Sequence, residues 1–124
     1  MKQGTDSGEM HGVHSLEDLK GTTIRNAKAE DLGKLEDVVI DGPRGQVAYA
    51  VLSFGGFLGM GTKRFAIPWQ ALQSGRSPGY LILDVPKERL EEAPGFDEND
   101  PPAYANEQWG TEIHKYYGYQ PYWS

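Results

Sequence analysis

The chain has 124 residues, 12 basic and 18 acidic side chains, a net charge of −6 and no cysteine. That length fits one domain, and zero cysteine excludes disulfides, thiol nucleophiles and cysteine-held zinc or iron–sulfur centres. Residues 1–19 (net −3) and 86–124 (net −5) are acidic around a nearly neutral middle, so no basic stripe offers itself to nucleic-acid phosphates and the flanks repel anionic lipid.

Apolar residues make up 38%, with 16 Gly and 8 Pro, so part of the chain is expected to be core-poor and extended. Residues 1–15 are Gly-rich and polar and read as a flexible tail, without the apolar run of a signal peptide. Ser15 can cap a single helical turn over Leu16–Leu19. Strand-like material begins at Thr22–Arg25 and continues over residues 32–41, where Gly33 points to a bulge or a close backbone approach. Asp41-Gly42-Pro43-Arg44-Gly45 is the strongest turn in the chain. Residues 46–54 alternate as a strand, so a hairpin is expected here.

Residues 47–62 carry no charge, but the uncharged run they belong to is shorter than the ~20 residues of a membrane-spanning helix and is broken by glycines. Four glycines in residues 55–61 exclude a helix interior and predict a loop or bent strand that carries Phe57, Leu58 and Met60. Lys63–Ile67 returns as a strand that Pro68 ends. Residues 69–72 make a short turn around Trp69, and 73–79 read as loop. Tyr80–Val85 is apolar on both faces and is expected to be a central strand. Residues 86–93 form a short helix with Pro86 at its start. Residues 96–103 are an acidic, Pro-rich linker. Residues 104–117 have helical spacing through Trp109, Ile113 and Tyr116 or Tyr117. The predicted organisation is therefore a flexible tail over 1–15, a β domain over 16–93, and an acidic, aromatic-rich extension over 94–124.

These blocks resemble the PRC-barrel family, which includes the cytoplasmic part of the photosynthetic reaction centre H subunit and the C-terminal domain of the ribosome maturation factor RimM. The resemblance is carried by Leu19-Lys20-Gly21-Thr22-Thr23-Ile24, by Leu32-Gly33-Lys34-Leu35-Glu36-Asp37-Val38-Val39-Ile40-Asp41, by the run from Gly45 to Gly59, and by Lys63-Arg64-Phe65-Ala66-Ile67-Pro68-Trp69-Gln70-Ala71-Leu72 with the strand after it. The tract from Tyr49 through the glycines to Pro68-Trp69 is its most specific part. The Tyr-Tyr-Gly and Pro-Tyr-Trp ending is similar to tails on small stand-alone bacterial members. The resemblance implies a mostly β fold, a small, mostly antiparallel barrel of about six strands with a short helix after the last one, and a scaffold or docking role with no catalytic residues to carry over. The H subunit's membrane anchor and RimM's RNA-facing domain have no counterpart in this sequence, so neither specialised role is expected.

Other motifs dissolve on inspection. Gly56 to Gly61, Thr62 and Lys63 approach a phosphate-binding loop, but Thr and Lys stand in the wrong order and a strand follows instead of a helix. Glu9, His11, His14, Glu17 and Asp18 offer metal-ligand atoms on a segment with nothing to fix them. Asp97-Glu98-Asn99-Asp100 lacks the spacing and closing Glu of a calcium loop, and Pro101-Pro102 breaks it. His114 has no triad that can be argued, so a surface or interface position is expected.

The remaining feature is aromatic. Six of the chain's fourteen aromatic residues (Trp109, Tyr116, Tyr117, Tyr119, Tyr122 and Trp123) lie within residues 109–124. Left in water they would form the kind of apolar patch that marks an interface. Either they wrap the chain's own barrel or they pack on a neighbour. The strand-bearing stretch, residues 20–85, has only 66 residues and is marginal alone, so the tail or a second copy must cover it. The expectation is a non-enzymatic, cytoplasmic module that forms a homodimer and contacts an unidentified protein partner, with no cofactor, no metal, no nucleic acid and no membrane insertion. Its contact candidates are Phe57, Leu58, Met60, Trp69 and the six C-terminal aromatics. The alternative is a site for a small apolar or aromatic ligand in a groove between barrel and tail.

Overall fold

A computed structural model describes residues 12, 14–55, 62–75 and 79–124. Ser15 caps a single helical turn, α1 (Leu16–Leu19), its hydroxyl accepting from the Asp18 amide at 3.1 Å. Six strands follow: β1 (Thr23–Arg25), β2 (Asp31–Asp41), β3 (Gln46–Gly55), β4 (Thr62–Pro68), β5 (Leu72–Ser74) and β6 (Tyr80–Leu83). Two further helices, α2 (Lys87–Glu91) and α3 (Glu107–Tyr117), come after them.

The strands make one sheet in the order β4-β3-β2-β1-β6-β5. Its two edge strands, β4 and β5, are consecutive in the chain and separated only by a 3₁₀ turn at Trp69–Ala71. Three residues of 3₁₀ helix advance about 6 Å, so the sheet must curl until its edges meet at that corner. The result is a half-barrel. The corner offsets the chain without reversing it, so β5 runs in the same sense as β4. Strand β6, antiparallel to β5, then has to lie parallel to β1. The sheet is thus mostly antiparallel, as expected: four pairings are antiparallel and β1–β6 is parallel.

The β2–β3 hairpin closes as its turn residues dictate. Asp41 Oδ1 accepts from the Arg44 amide at 3.0 Å, and the Gly45 amide donates to the Asp41 carbonyl at 2.8 Å. Gly33 supplies the close approach. Its φ is +135°, and a Cβ there would lie 2.2 Å from the Ser53 carbonyl oxygen, so a side chain would force β2 off β3. Residues 73–79 were expected as loop, but Gln73 and Ser74 belong to β5, paired with Ile82 and Leu81. A three-residue edge strand with one apolar anchor, Leu72, carries too little alternation to register as a strand.

The concave side of the sheet holds the main core. Ile24, Leu32, Leu35, Ala50, Leu52, Phe65, Ile67, Leu81 and Leu83 are buried there, and Leu90 and Ala93 from α2 and its C-terminal end pack against them. At about 25 cal/mol per Å² of apolar surface, each such Leu or Phe contributes roughly 1.5–3 kcal/mol. A second, smaller cluster covers the convex side: Ala48, Tyr49 and Ala66 of the sheet meet Ile113 of α3, with Phe96, Tyr104, Trp109, Tyr117 and Tyr122 around them. Two backbone hydrogen bonds between Arg64 and Phe96, at 2.9 and 2.8 Å, tie the chain to β4 before it reaches α3.

Candidate functional site

The convex face is built from α3 outward. Asn106 caps the helix, its side chain accepting from the Trp109 amide at 2.9 Å, so the helix starts after Tyr104, later than the 104–117 spacing alone suggested. Ile113 and His114 are both buried. Gly118, in the left-handed region at φ 87°, ends the helix and turns the chain back along it. Tyr122 and Trp123 are thereby returned to the helix they left.

His114 is the centre of the return. Sequence suggested a surface or interface position; the structure places it fully buried, 0% exposed, because the reversed chain closes over it. Its Nδ1 lies 2.7 Å from the Gly110 carbonyl oxygen, and its Nε2 is 3.3 Å from the Tyr122 amide. An amide can only donate and a carbonyl can only accept, so the ring is neutral, with its proton on Nδ1. Burial holds its pKa below the ordinary 6.5, partly offset by the Gly110 carbonyl.

The same tail residue reaches the hairpin. Tyr122 donates its hydroxyl to Asp41 Oδ2 at 2.5 Å, and Arg44 ion-pairs with that oxygen at 3.1 Å. The phenol hydrogen bond, then the Arg44 amide, hold the Asp41 carboxyl below its usual range. Burial, then Asp41, push the Tyr122 phenol up to about 12. Tyr49 lies beneath, 1% exposed, edge-on to Trp109 (5.1 Å between centroids) and to Tyr122 (6.0 Å). Burial raises its phenol to about 12, and its hydroxyl is buried with no protein hydrogen-bond partner. Gly110 makes room for it: a Cβ there would sit 2.6 Å from the Tyr49 hydroxyl and 2.8 Å from the Trp123 ring. A cavity of about 290 Å³ opens beside this cluster, between the hairpin and the C-terminal segment, lined in part by Tyr49, Tyr104, Tyr122, Asp41 and Arg44.

Sequence-predicted site residues fall into separate places. Trp109, Tyr122 and Trp123 are half-buried in the convex cluster and around His114. Tyr117 packs against both clusters, its hydroxyl buried without a partner. Tyr116 turns to α2: its hydroxyl donates to the Arg89 carbonyl, and the Arg89 guanidinium lies 4.1 Å from its ring centroid. Tyr119 is exposed, at 37%. Phe57, Leu58 and Met60 lie outside the described residues. Trp69 packs against the main core and borders a second groove of about 300 Å³ with Leu16, Leu19, Val38, Ile40 and Val47. Ile40 (58%) and Leu16 (45%) are the most exposed large apolar side chains among the described residues. Sequence reasoning passed over Ile40, Leu16, Tyr49 and Asp41. The available signals were an isoleucine beside a solvent turn and a tyrosine in a strand flanked by alanines.

A curled six-stranded sheet that is clothed by a C-terminal helix and keeps one apolar groove open is a small scaffold or binding module by architecture. The PRC-barrel domain model matches residues 11–90, and the chain belongs to the PRC-barrel family. No curated protein matches the chain. The matched stretch contains the whole sheet and most of α2, whereas α3 and the tail that covers the convex face lie beyond it. Among the described residues no helix is long and apolar enough to cross a membrane.

Proposed function

We propose that the chain is a non-enzymatic PRC-barrel scaffold that works through protein–protein contacts and pairs with a second copy of itself. The observation that carries this reading is the open apolar face around Ile40 and Leu16. Ile40 pairs with Val47 across the hairpin, and Trp69 and Leu19 border the same groove. Side chains of that size standing together in water characterise an interface. Because Trp109, Tyr117, Tyr122 and Trp123 are occupied within their own chain, this reading puts the contact face at the Trp69 end of the barrel.

Size-exclusion chromatography with light scattering tests this. The expected species at tens of micromolar has twice the 13.8 kDa chain mass, and Ile40→Glu returns it to one chain with unchanged circular dichroism. A wild-type chain that stays at 13.8 kDa contradicts the pairing.

The cavity between hairpin and tail favours a second reading, a site for a small apolar or aromatic ligand. About 290 Å³ bordered by Tyr49, Tyr104, Tyr122 and Trp123 lies at the lower end of the range for small-molecule sites. A thermal-shift screen of aromatic compounds separates the two readings, since a ligand held by the native state raises the melting temperature and Tyr104→Ala then removes that rise.

A further inference from the structure

Three hydrogen bonds hold residues 120–124 on the rest of the chain: Gln70 Nε2 donates to the Gln120 carbonyl at 3.1 Å, and the other two each need their acceptor deprotonated. Tyr122 gives its amide proton to His114 Nε2 and its hydroxyl proton to Asp41 Oδ2. The imidazole's other nitrogen is committed to the Gly110 carbonyl at 2.7 Å, so an added proton has to go on Nε2. There it would confront the Tyr122 N–H, donor against donor, inside a site with no exposed edge of the ring. Protonation of Asp41 would likewise weaken its acceptance of the phenol. Acid therefore acts on both contacts in the same direction.

Besides the Gly110 carbonyl and the Tyr122 amide, the groups that face His114 are aromatic rings, and none brings a carboxylate to pair with an imidazolium. From β3 it meets the Tyr49 ring at 5.5 Å, and from the tail it meets Tyr122 at 5.8 Å and Trp123 at 5.6 Å. The two phenols are neutral well past physiological pH. The Asp41 carboxylate and the Arg44 guanidinium, 6.0 Å from the Tyr122 ring centroid, act on Tyr122 from the hairpin side. On its own helix the neighbouring Glu112 and Lys115 are exposed.

We propose that His114 and Asp41 form an acid-released latch, in which protonating His114 frees residues 120–124 from the convex face and uncovers Tyr49, Trp109 and the cavity beside them. The imidazole in the released state titrates near 6.5 and in the latched state lower. The latch is thus fully closed above that value and opens as pH falls below it. One coupled proton multiplies the opening equilibrium by up to about tenfold for each pH unit within that window. The Asp41 bond adds a second step only at carboxylate pH. The sheet itself, whose concave core is hydrocarbon, stays folded while the tail opens.

A pH titration of the full chain by nuclear magnetic resonance, from about pH 8 to about pH 4.5, reads the latch directly. The expected result is that the His114 ring proton, the Tyr122 amide and the Trp123 indole N–H move together, with a midpoint below 6.5, while the Leu52 and Ile67 methyls stay fixed. His114 titrating with the Tyr122 and Trp123 signals unmoved overturns the proposal, as does a tail that stays bound until the Leu52 and Ile67 signals collapse. His114→Gln keeps an acceptor without the titration and is expected to abolish the transition; a transition that survives assigns the switch elsewhere. Should that variant fail to fold, Tyr122→Phe removes only the Asp41 bond. Its expected effect is a midpoint raised toward 6.5, and an unchanged midpoint removes Asp41 from the latch.

Discussion

On the concave side of β3, Ala50 and Leu52 pack among Leu35, Phe65 and Ile67, side chains with no polar atom to satisfy. On the convex side Tyr49 packs among Tyr104, Trp109, Tyr122 and the His114 imidazole, and each of those four neighbours carries a polar group. One strand thus serves two cores of different chemistry. The inner one depends on volume and is indifferent to pH, because hydrocarbon burial is non-directional. The outer one depends on donors, acceptors and protonation, because ring edges and hydroxyls have to be aligned. The inner core makes the family's sheet; the outer core is added by residues beyond the matched stretch.

The comparison is broken most severely from inside. Leu52→Ala leaves a cavity where Leu35 and Phe65 meet it, with an expected loss of about 2–5 kcal/mol. Urea denaturation followed by far-ultraviolet circular dichroism and by tryptophan fluorescence is expected to show both signals lost in one transition. Gly110→Ala strikes only the outer core. Its methyl would collide with the Tyr49 hydroxyl and the Trp123 ring, and overpacking of this kind costs about 1–3 kcal/mol. The improved helix propensity of alanine returns up to about 1 kcal/mol of that. Trp123 is expected to become accessible to acrylamide quenching while the β-sheet circular dichroism is retained.

The smallest effect sharpens the contrast. Tyr49→Phe removes a buried hydroxyl that has no protein partner, so at neutral pH it is expected to leave stability unchanged or to raise it by up to about 1 kcal/mol. At high pH the two proteins diverge. The Tyr49 and Tyr122 phenols ionise near 12 when folded and near 10 when unfolded. The unfolded chain therefore loses its protons first, and stability that is complete below pH 10 falls as pH rises from 10 toward 12. Denaturation midpoints measured across that window are expected to fall less steeply for Tyr49→Phe than for the wild-type chain.

The inner half of this picture was legible from the sequence. Alternation in residues 46–54, the Asp41–Gly45 turn, the capping Ser15, the glycine at 33 and the short helix near Leu90 are all local signals, and each produced the expected element. The family blocks then supplied a curled sheet of about six strands. What stayed hidden depends on the chain meeting itself at a distance. The parallel sense of β1 and β6 follows from a corner at Trp69–Ala71 that offsets the chain without reversing it, and no residue type spells that difference. The contact of Asp41 with Tyr122 spans 81 positions. His114 read as a surface or interface residue because the residues that bury it arrive only after the reversal at Gly118. The aromatic tail was recognisable as something that needed covering; which surface covered it was not.

The claim on which the two-core account rests is that the tail clothes its own sheet. A nuclear Overhauser experiment on a sample mixing isotope-labelled and unlabelled chains measures this most directly. The account expects cross-peaks between the Tyr49 ring and the Trp109 and Tyr122 rings within a single labelled chain, unchanged on dilution with unlabelled protein. Cross-peaks that arise only between labelled and unlabelled chains would place the tail on a partner and contradict the account.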